Sequence, residues 1–221
     1  MATLDLSLGC SQIEKDEKAN ANSWIDDRRV MGYLSYNESI IQTIKKYQMT
    51  DGMTADFYDW KQQQSSNRVV LSYGTENISE LHADSMKKLY QQIAQSGQIF
   101  KNEYYNIEHE EFEQADEVHM VDQLLIALEL EKLDFENKHF WEWLQQEWST
   151  KGAISGRYER KTLEGNDKES GAVYGIAAKL AREKERTDLV EEWRARGQSL
   201  VYNKDYANVH FFDLIWNAPL K

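Results

Sequence analysis

Apolar positions recur at helical spacing along most of the chain. Ile40, Ile41, Ile44 and Tyr47 predict a helix over about 38–47. Ile78, Leu81, Met86, Leu89, Tyr90 and Ile93 predict one over about 76–94, with Gly97 as its stop. Val118, Met120, Val121, Leu124, Leu125, Ala127 and Leu128 predict a strongly apolar helix over 118–132. Further helices are expected at 140–148, 169–184, 187–199 and 209–217. An earlier one starts at Ser23, a good N-cap, and carries Trp24, Ile25, Val30, Met31 and Leu34. Residues 53–60 and 68–73 read as extended segments, because Val69, Val70 and the aromatics between polar turns favour strands. Residues 98–117 are acidic and aromatic without clear period, and 152–166 reads as an ordered loop or short hairpin. The sum is about eight helices with a minor β component, and helices joined by short connectors pack as antiparallel hairpins.

Proline occurs once, at Pro219, so long helices are unobstructed. Residues 1–22 are polar and irregular apart from Leu4, Leu6 and Leu8, and no domain boundary is visible after them. Lys plus Arg is 26 against 38 for Asp plus Glu, a formal charge of −12. That acidity argues against nucleic acid and against an anionic membrane surface, both of which need a basic face. No apolar run is long enough to span a bilayer. The start, Met1-Ala-Thr-Leu-Asp-Leu-Ser, lacks the basic and apolar regions of a signal peptide. Cys10 is the one cysteine, which excludes an intrachain disulfide and a multi-thiolate zinc site.

Four constellations carry candidate chemistry. In Trp24-Ile-Asp26-Asp27-Arg-Arg, two acids either complement a helix dipole or, beside Trp24, hydrogen-bond a sugar. In Asp56-Phe-Tyr58-Asp59-Trp60, rings beside carboxylates suit a carbohydrate, since sugar C–H faces stack and hydroxyls need acceptors; packing of a hairpin explains the same residues. In His119-Met-Val-Asp122, the acid opening an apolar helix is either a structural first-turn acid or a general base shielded from bulk water. His109 and His119 lack a third spaced ligand, so no metal and no other cofactor is expected. In Gly156-Arg157-Tyr158, Arg157 and Tyr158 could line a groove, whereas Gly171, Ala172 and Gly175 read as small residues at a helix crossing. Phosphate-binding, dinucleotide and nucleophile-elbow glycine motifs are absent.

The order of these motifs is more specific than any one of them. Asn22-Ser-Trp-Ile-Asp-Asp-Arg-Arg-Val, Asp56-Phe-Tyr-Asp-Trp, Val70-Leu-Ser-Tyr, His119-Met-Val-Asp-Gln-Leu-Leu, Gly156-Arg-Tyr-Glu-Arg and Glu169-Ser-Gly-Ala-Val-Tyr-Gly-Ile-Ala together resemble glycoside hydrolase family 8, in its Gram-positive, exopolysaccharide-associated branch. The resemblance covers roughly 20–217 and implies an all-α fold, an incomplete (α/α)6 toroid of antiparallel helical hairpins with a minor β-hairpin. It implies an irregular segment over 1–22 and a partial glycosidase-like domain over 23–221. It implies inverting hydrolysis of a β-1,4-linked polysaccharide, at the cell surface or outside it. Asp122 falls at the family's general base, and Asp26 or Asp27 at an acid that contacts the sugar at the cleavage point. By the same likeness Tyr58 and Tyr73 fall near the substrate cleft; Trp60 is a further aromatic there, and Arg157 a candidate substrate contact from its own motif.

The family's general acid, a glutamate in a Ser-Glu-x-x-Gly-type motif, has no counterpart here, since only 24 residues precede Ile25 and neither Glu14 nor Glu17 sits in such a motif. Twelve helices with their connections need about 240 residues. The chain thus resembles the C-terminal two-thirds of a family member, with impaired turnover and self-association through the open ring as expectations. The competing expectations are a glycan-binding module without catalysis and a helical interaction module.

Overall fold

The computed structural model describes residues 21–22, 38–74, 78–203 and 209–218. Over these residues the chain divides into two compact units, one within Met1–Ile93 and Asn102–Gln114, the other within Ala94–Lys101 and Ala115–Lys221. Seven α-helices and four small antiparallel sheets are present among the described residues. The helix-rich expectation holds, and the β content exceeds the single hairpin expected.

In the first unit, α1 (Glu38–Tyr47) turns Ile41 and Ile44 inward. They form a small cluster that Tyr47, Tyr58, Trp60 and Tyr73 pack against. Asp51 and Gly52, both at positive φ, close a hairpin between β2 (Met49–Thr50) and β3 (Met53–Thr54). Strand β4 (Tyr58–Asp59) lies between β1 (Ala21–Asn22) and β5 (Gln64–Ser65). Strands β6 (Arg68–Val70), β7 (Tyr104–Asn106) and β8 (Glu111–Glu113) make a second three-stranded sheet. Its register sets Tyr105 opposite Phe112, whose rings meet edge to face at 5.1 Å. A 3₁₀ turn at Leu71–Tyr73 follows β6, and Tyr90 of α2 (Ile78–Gln95) donates its hydroxyl hydrogen to the Leu71 carbonyl at 2.6 Å.

In the second unit, β9 (Glu117–His119) leads directly into α3 (Met120–Lys132). The sequence predicts helix from residue 118, but Val118 sits in a ladder with Tyr158 of β10 (Arg157–Glu159), and both side chains are buried. The helix therefore starts two residues later, after an extended His119. The 152–166 segment is a hairpin, since Tyr158 bridges Gly165, and it also pairs with β9. Helix α3 is apolar nearly all round and is correspondingly enclosed from Gln123 to Leu130. Helices α4 (Lys138–Lys151), α5 (Gly171–Glu183), α6 (Thr187–Tyr202) and α7 (Phe211–Asn217) follow, with α5 packed against α3, α6 and α7.

The small residues of α5 mark that crossing, as their sequence pattern suggests. A Cβ on Gly171 would lie 2.5 Å from Val201, and one on Gly175 would lie 2.8 Å from two Trp216 atoms. Asp213 of α7 accepts from the Ala172 N–H at 2.7 Å and from the Ser170 hydroxyl at 2.8 Å, capping α5. Among the described residues Tyr202 is the one exposed large hydrophobic side chain, and none of the helices there is long and apolar enough to cross a membrane.

Candidate functional site

Asp122 occupies the third position of α3, on the turn that emerges from the β9–β10 ladder. Its side chain is 28% exposed, and His119 Nδ1 lies 3.4 Å from Oδ2. A carboxylate here suits the positive end of the helix dipole, and it is also accessible to a ligand. His119 supplies no side-chain cap. The turn is fixed instead by backbone and by its neighbour: the Met120 N–H donates to the Gly156 carbonyl at 2.9 Å. Gln123, 1% exposed, accepts from the Lys101 N–H at 2.8 Å and donates from Nε2 to the Lys101 carbonyl at 2.9 Å. Arg160 Nη1 donates to the same carbonyl at 3.3 Å and to that of Phe100 at 3.0 Å, while its Nε donates to the Ala115 carbonyl at 2.7 Å.

The ladder places side chains by parity. Val118 and Tyr158 face the core, so Glu117, His119, Arg157 and Glu159 share the other face. Arg157 stands opposite His119 and pairs with Glu117 at 2.6 Å, both side chains well exposed. The structure thus gathers Asp122, His119, Arg157 and Glu117 around the start of α3. Tyr58, Trp60 and Tyr73 are also gathered, but in the first unit, around Ile41 and Ile44. Tyr47, Tyr58 and Trp60 meet pairwise edge to face at 4.9–5.3 Å and are partly exposed. The acids of that motif have local partners: Asp59 accepts from the Lys61 and Gln62 N–H groups at 2.7 and 2.9 Å, and Asp56 pairs with Arg68 at 2.5 Å. Asp26 and Asp27 lie outside the described residues. Among the described residues, no group of three or more His, Cys, Asp or Glu side chains could hold a metal ion.

Sequence reasoning missed the polar framework behind this turn. The Tyr158 hydroxyl accepts from the Ser155 N–H at 2.8 Å and donates to Glu147 at 3.0 Å. The Tyr174 hydroxyl accepts from the Ile154 N–H at 2.8 Å and donates to Glu169. Burial raises both phenols well above their ordinary range, with the facing carboxylates acting in the same direction. Arg196 grips Glu169 with two donors, one at 2.8 Å, and that bond holds the carboxyl below the ordinary value of 4.5. Lys101 is 2% exposed, and burial lowers its ammonium below the ordinary lysine range; its Nζ donates to the Gln98 carbonyl at 2.9 Å. The only sequence signal for this framework is that polar groups in apolar runs need partners.

No protein-family model matches the sequence. The chain is 26% identical over 206 residues to a curated protein of Bacillus subtilis (strain 168) named "Putative lipoprotein YdaJ". That match takes in 81% of this chain and 56% of the other, so the chain spans little more than half the length of this relative. Among solved structures, PssZ from Listeria monocytogenes superposes with a TM-score of 0.76 at 24% identity, over 91% of this chain and 70% of that one. A novel alpha-amylase from Clostridium perfringens superposes with a TM-score of 0.74 at 15% identity, over 91% of this chain and 71% of that one. The chain shares its fold with these two proteins.

Proposed function

We propose that this chain is a glycoside hydrolase that cuts a polysaccharide by inversion, with Asp122 as general base. The observation that carries the reading is Asp122 itself, a part-exposed carboxylate on an anchored helix start in a fold shared with a protein named an alpha-amylase. In this reading Asp122 takes a proton from a water molecule. That water attacks the anomeric carbon as the glycosidic C–O bond breaks, and a second carboxyl, to which no residue of this sequence is assigned, protonates the departing oxygen from the opposite side, about 6.5–9.5 Å away. Asp26 or Asp27 contacts the sugar at the cleavage point, Arg157 on the β9–β10 ladder binds substrate, and Tyr58, Trp60 and Tyr73 stack sugar rings in the first unit. The hairpins α3–α4 and α5–α6 belong to an (α/α)6 toroid of the family 8 type, and the lipoprotein relative supports a place at the cell surface.

The test is reducing-end release from β-1,4-glucan, chitosan, native exopolysaccharide and starch, the last because of the amylase neighbour. Asp122→Asn should lower turnover by about 10²–10⁴-fold, the usual worth of general base assistance. Turnover on any of these that survives the substitution removes Asp122 from the reaction.

A second reading, a glycan-binding module without hydrolysis, is favoured by the partly exposed Tyr47, Tyr58 and Trp60 cluster. Calorimetry with oligosaccharides separates the two: heat without product supports binding alone, and no heat with any glycan counts against both.

A further inference from the structure

We propose that Gln123 is a positioning residue that fixes the direction of the Asp122 carboxylate; the inference rests on the reading of Asp122 as general base. The N-cap residue of helix α3, His119, makes no side-chain cap bond, which leaves an anchoring role to other groups. Gln123 supplies what a cap would. Its carboxamide reads the Lys101 peptide as a neighbouring strand would, accepting from the N–H at 2.8 Å and donating to the carbonyl at 2.9 Å. The Lys101 carbonyl also accepts from Arg160 at 3.3 Å, so this peptide group is held from both sides. Arg160 in turn bonds Phe100 and Ala115, which fixes the Phe100–Lys101 segment itself.

The pair is buried, Gln123 at 1% and Lys101 at 2% exposure, where an amide's hydrogen bonds persist because no water replaces them. Gln123 follows Asp122 directly in the chain, so locking its side chain locks the backbone of the turn that carries Asp122. The Met120 bond to Gly156 holds the same turn on the β10 side. Gln123 touches no substrate in this scheme and acts through Asp122 alone.

Gln123→Met keeps the side-chain length and removes both bonds. Three-bond couplings from the Asp122 carboxyl carbon, measured by NMR, should report one χ1 rotamer in the wild type and averaging in Gln123→Met. On any glycan the wild type cleaves, kcat should fall about 10- to 100-fold with KM changed less than about twofold, the penalty for a misplaced group. Gln123→Glu keeps the acceptor for the Lys101 N–H and should recover part of both signals. Leu189→Ala, a core truncation in α6, should lower stability without moving either.

If Gln123→Met does not fold, Arg160→Lys removes the guanidinium fork from the Lys101 carbonyl and should give the same coupling change in weaker form. Asp122 couplings unchanged in a folded Gln123→Met protein, or an unchanged kcat, overturn the proposal. If the wild type cleaves no glycan, the hydrolase reading fails, and the couplings alone decide whether Gln123 orients Asp122.

Discussion

Gly175→Ala tests the packing that holds the helices behind the site. Glycine in the middle of a helix is worse than alanine by about 1 kcal/mol, so propensity alone predicts a gain in stability. The geometry predicts the opposite. A Cβ at Gly175 would stand 2.8 Å from the carbonyl carbon and the Cβ of Trp216 and closer still to the carbonyl oxygen. That is about 0.7 Å inside ordinary carbon–carbon contact of roughly 3.5 Å. Two of these atoms are backbone, so no rotamer change relieves the overlap, and α7 must move away from α5. Moving it by about that distance takes the 2.7 Å bonds from Ala172 to Asp213 and from Asn217 to Gly171 beyond good hydrogen-bond range. Two such bonds are worth about 2–3 kcal/mol together, from which the propensity gain of about 1 kcal/mol is subtracted. The net loss is roughly 1–2 kcal/mol, a fall in Tm of about 2–8 °C for a domain of this size. Five of the seven tryptophans, at 141, 143, 148, 193 and 216, lie in the second unit, so urea titration followed by tryptophan emission reads it directly. A Gly175→Ala protein as stable as the wild type, or more stable, refutes the crossing as described.

Tyr158→Phe leaves the buried Ser155 N–H without its acceptor and removes one of the donors to Glu147, which keeps Lys151 at 2.8 Å; this should cost about 1–3 kcal/mol in denaturant titration. The Glu169 carboxyl is held below its ordinary 4.5 chiefly by the bond from Arg196, so its contribution to stability is complete above about that pH and is lost as pH falls through the lower folded value. Glu169→Gln should therefore destabilise the protein at pH 7 and narrow its gap to the wild type toward pH 3, as measured by urea midpoints; a gap independent of pH contradicts the assignment.

Helices were legible wherever apolar residues recur at helical spacing and one face is buried. Ile41 with Ile44, and Met86, Leu89, Tyr90 and Ile93, are buried as their spacing requires. The β7–β8 hairpin was not legible, because three-residue strands such as Glu-Phe-Glu are too short and too polar to show a period. Strand β9 was hidden for another reason: Val118 runs on into the apolar pattern of α3, and its ladder partner Tyr158 is 40 residues away. Asp122 was visible as a charge in an apolar run. Gln123 was equally visible as a polar residue in that run, but its partner, the Lys101 peptide, carries no side-chain signature. The link from Glu169 through Tyr174 and Arg196 joins side chains on separate elements, which no local pattern encodes.

Polar structure converges on the start of α3, whose N-cap residue makes no side-chain bond. A helix N-terminus leaves four N–H groups without intrahelical partners, and burial makes each unmet one costly. Here the Met120 N–H reaches the Gly156 carbonyl, and that carbonyl is in place because the two residues before it are held by tyrosine hydroxyls. Ile154 donates to Tyr174 and Ser155 to Tyr158, and each hydroxyl passes its own hydrogen to a glutamate. Burial pushes both phenols upward, in keeping with hydroxyls that donate to those carboxylates. Each bond is worth only about 1 kcal/mol net, yet linked bonds in a low-dielectric interior reinforce one another. A surface carboxylate with a purely electrostatic role at a helix end needs none of this support. A carboxylate that must meet a reacting atom within about 0.5 Å does, and the support has to come from groups whose own positions are fixed. Gln123, Gly156 and, through the residues before it, the two tyrosines together fix the turn that carries Asp122, the carboxylate proposed above as general base.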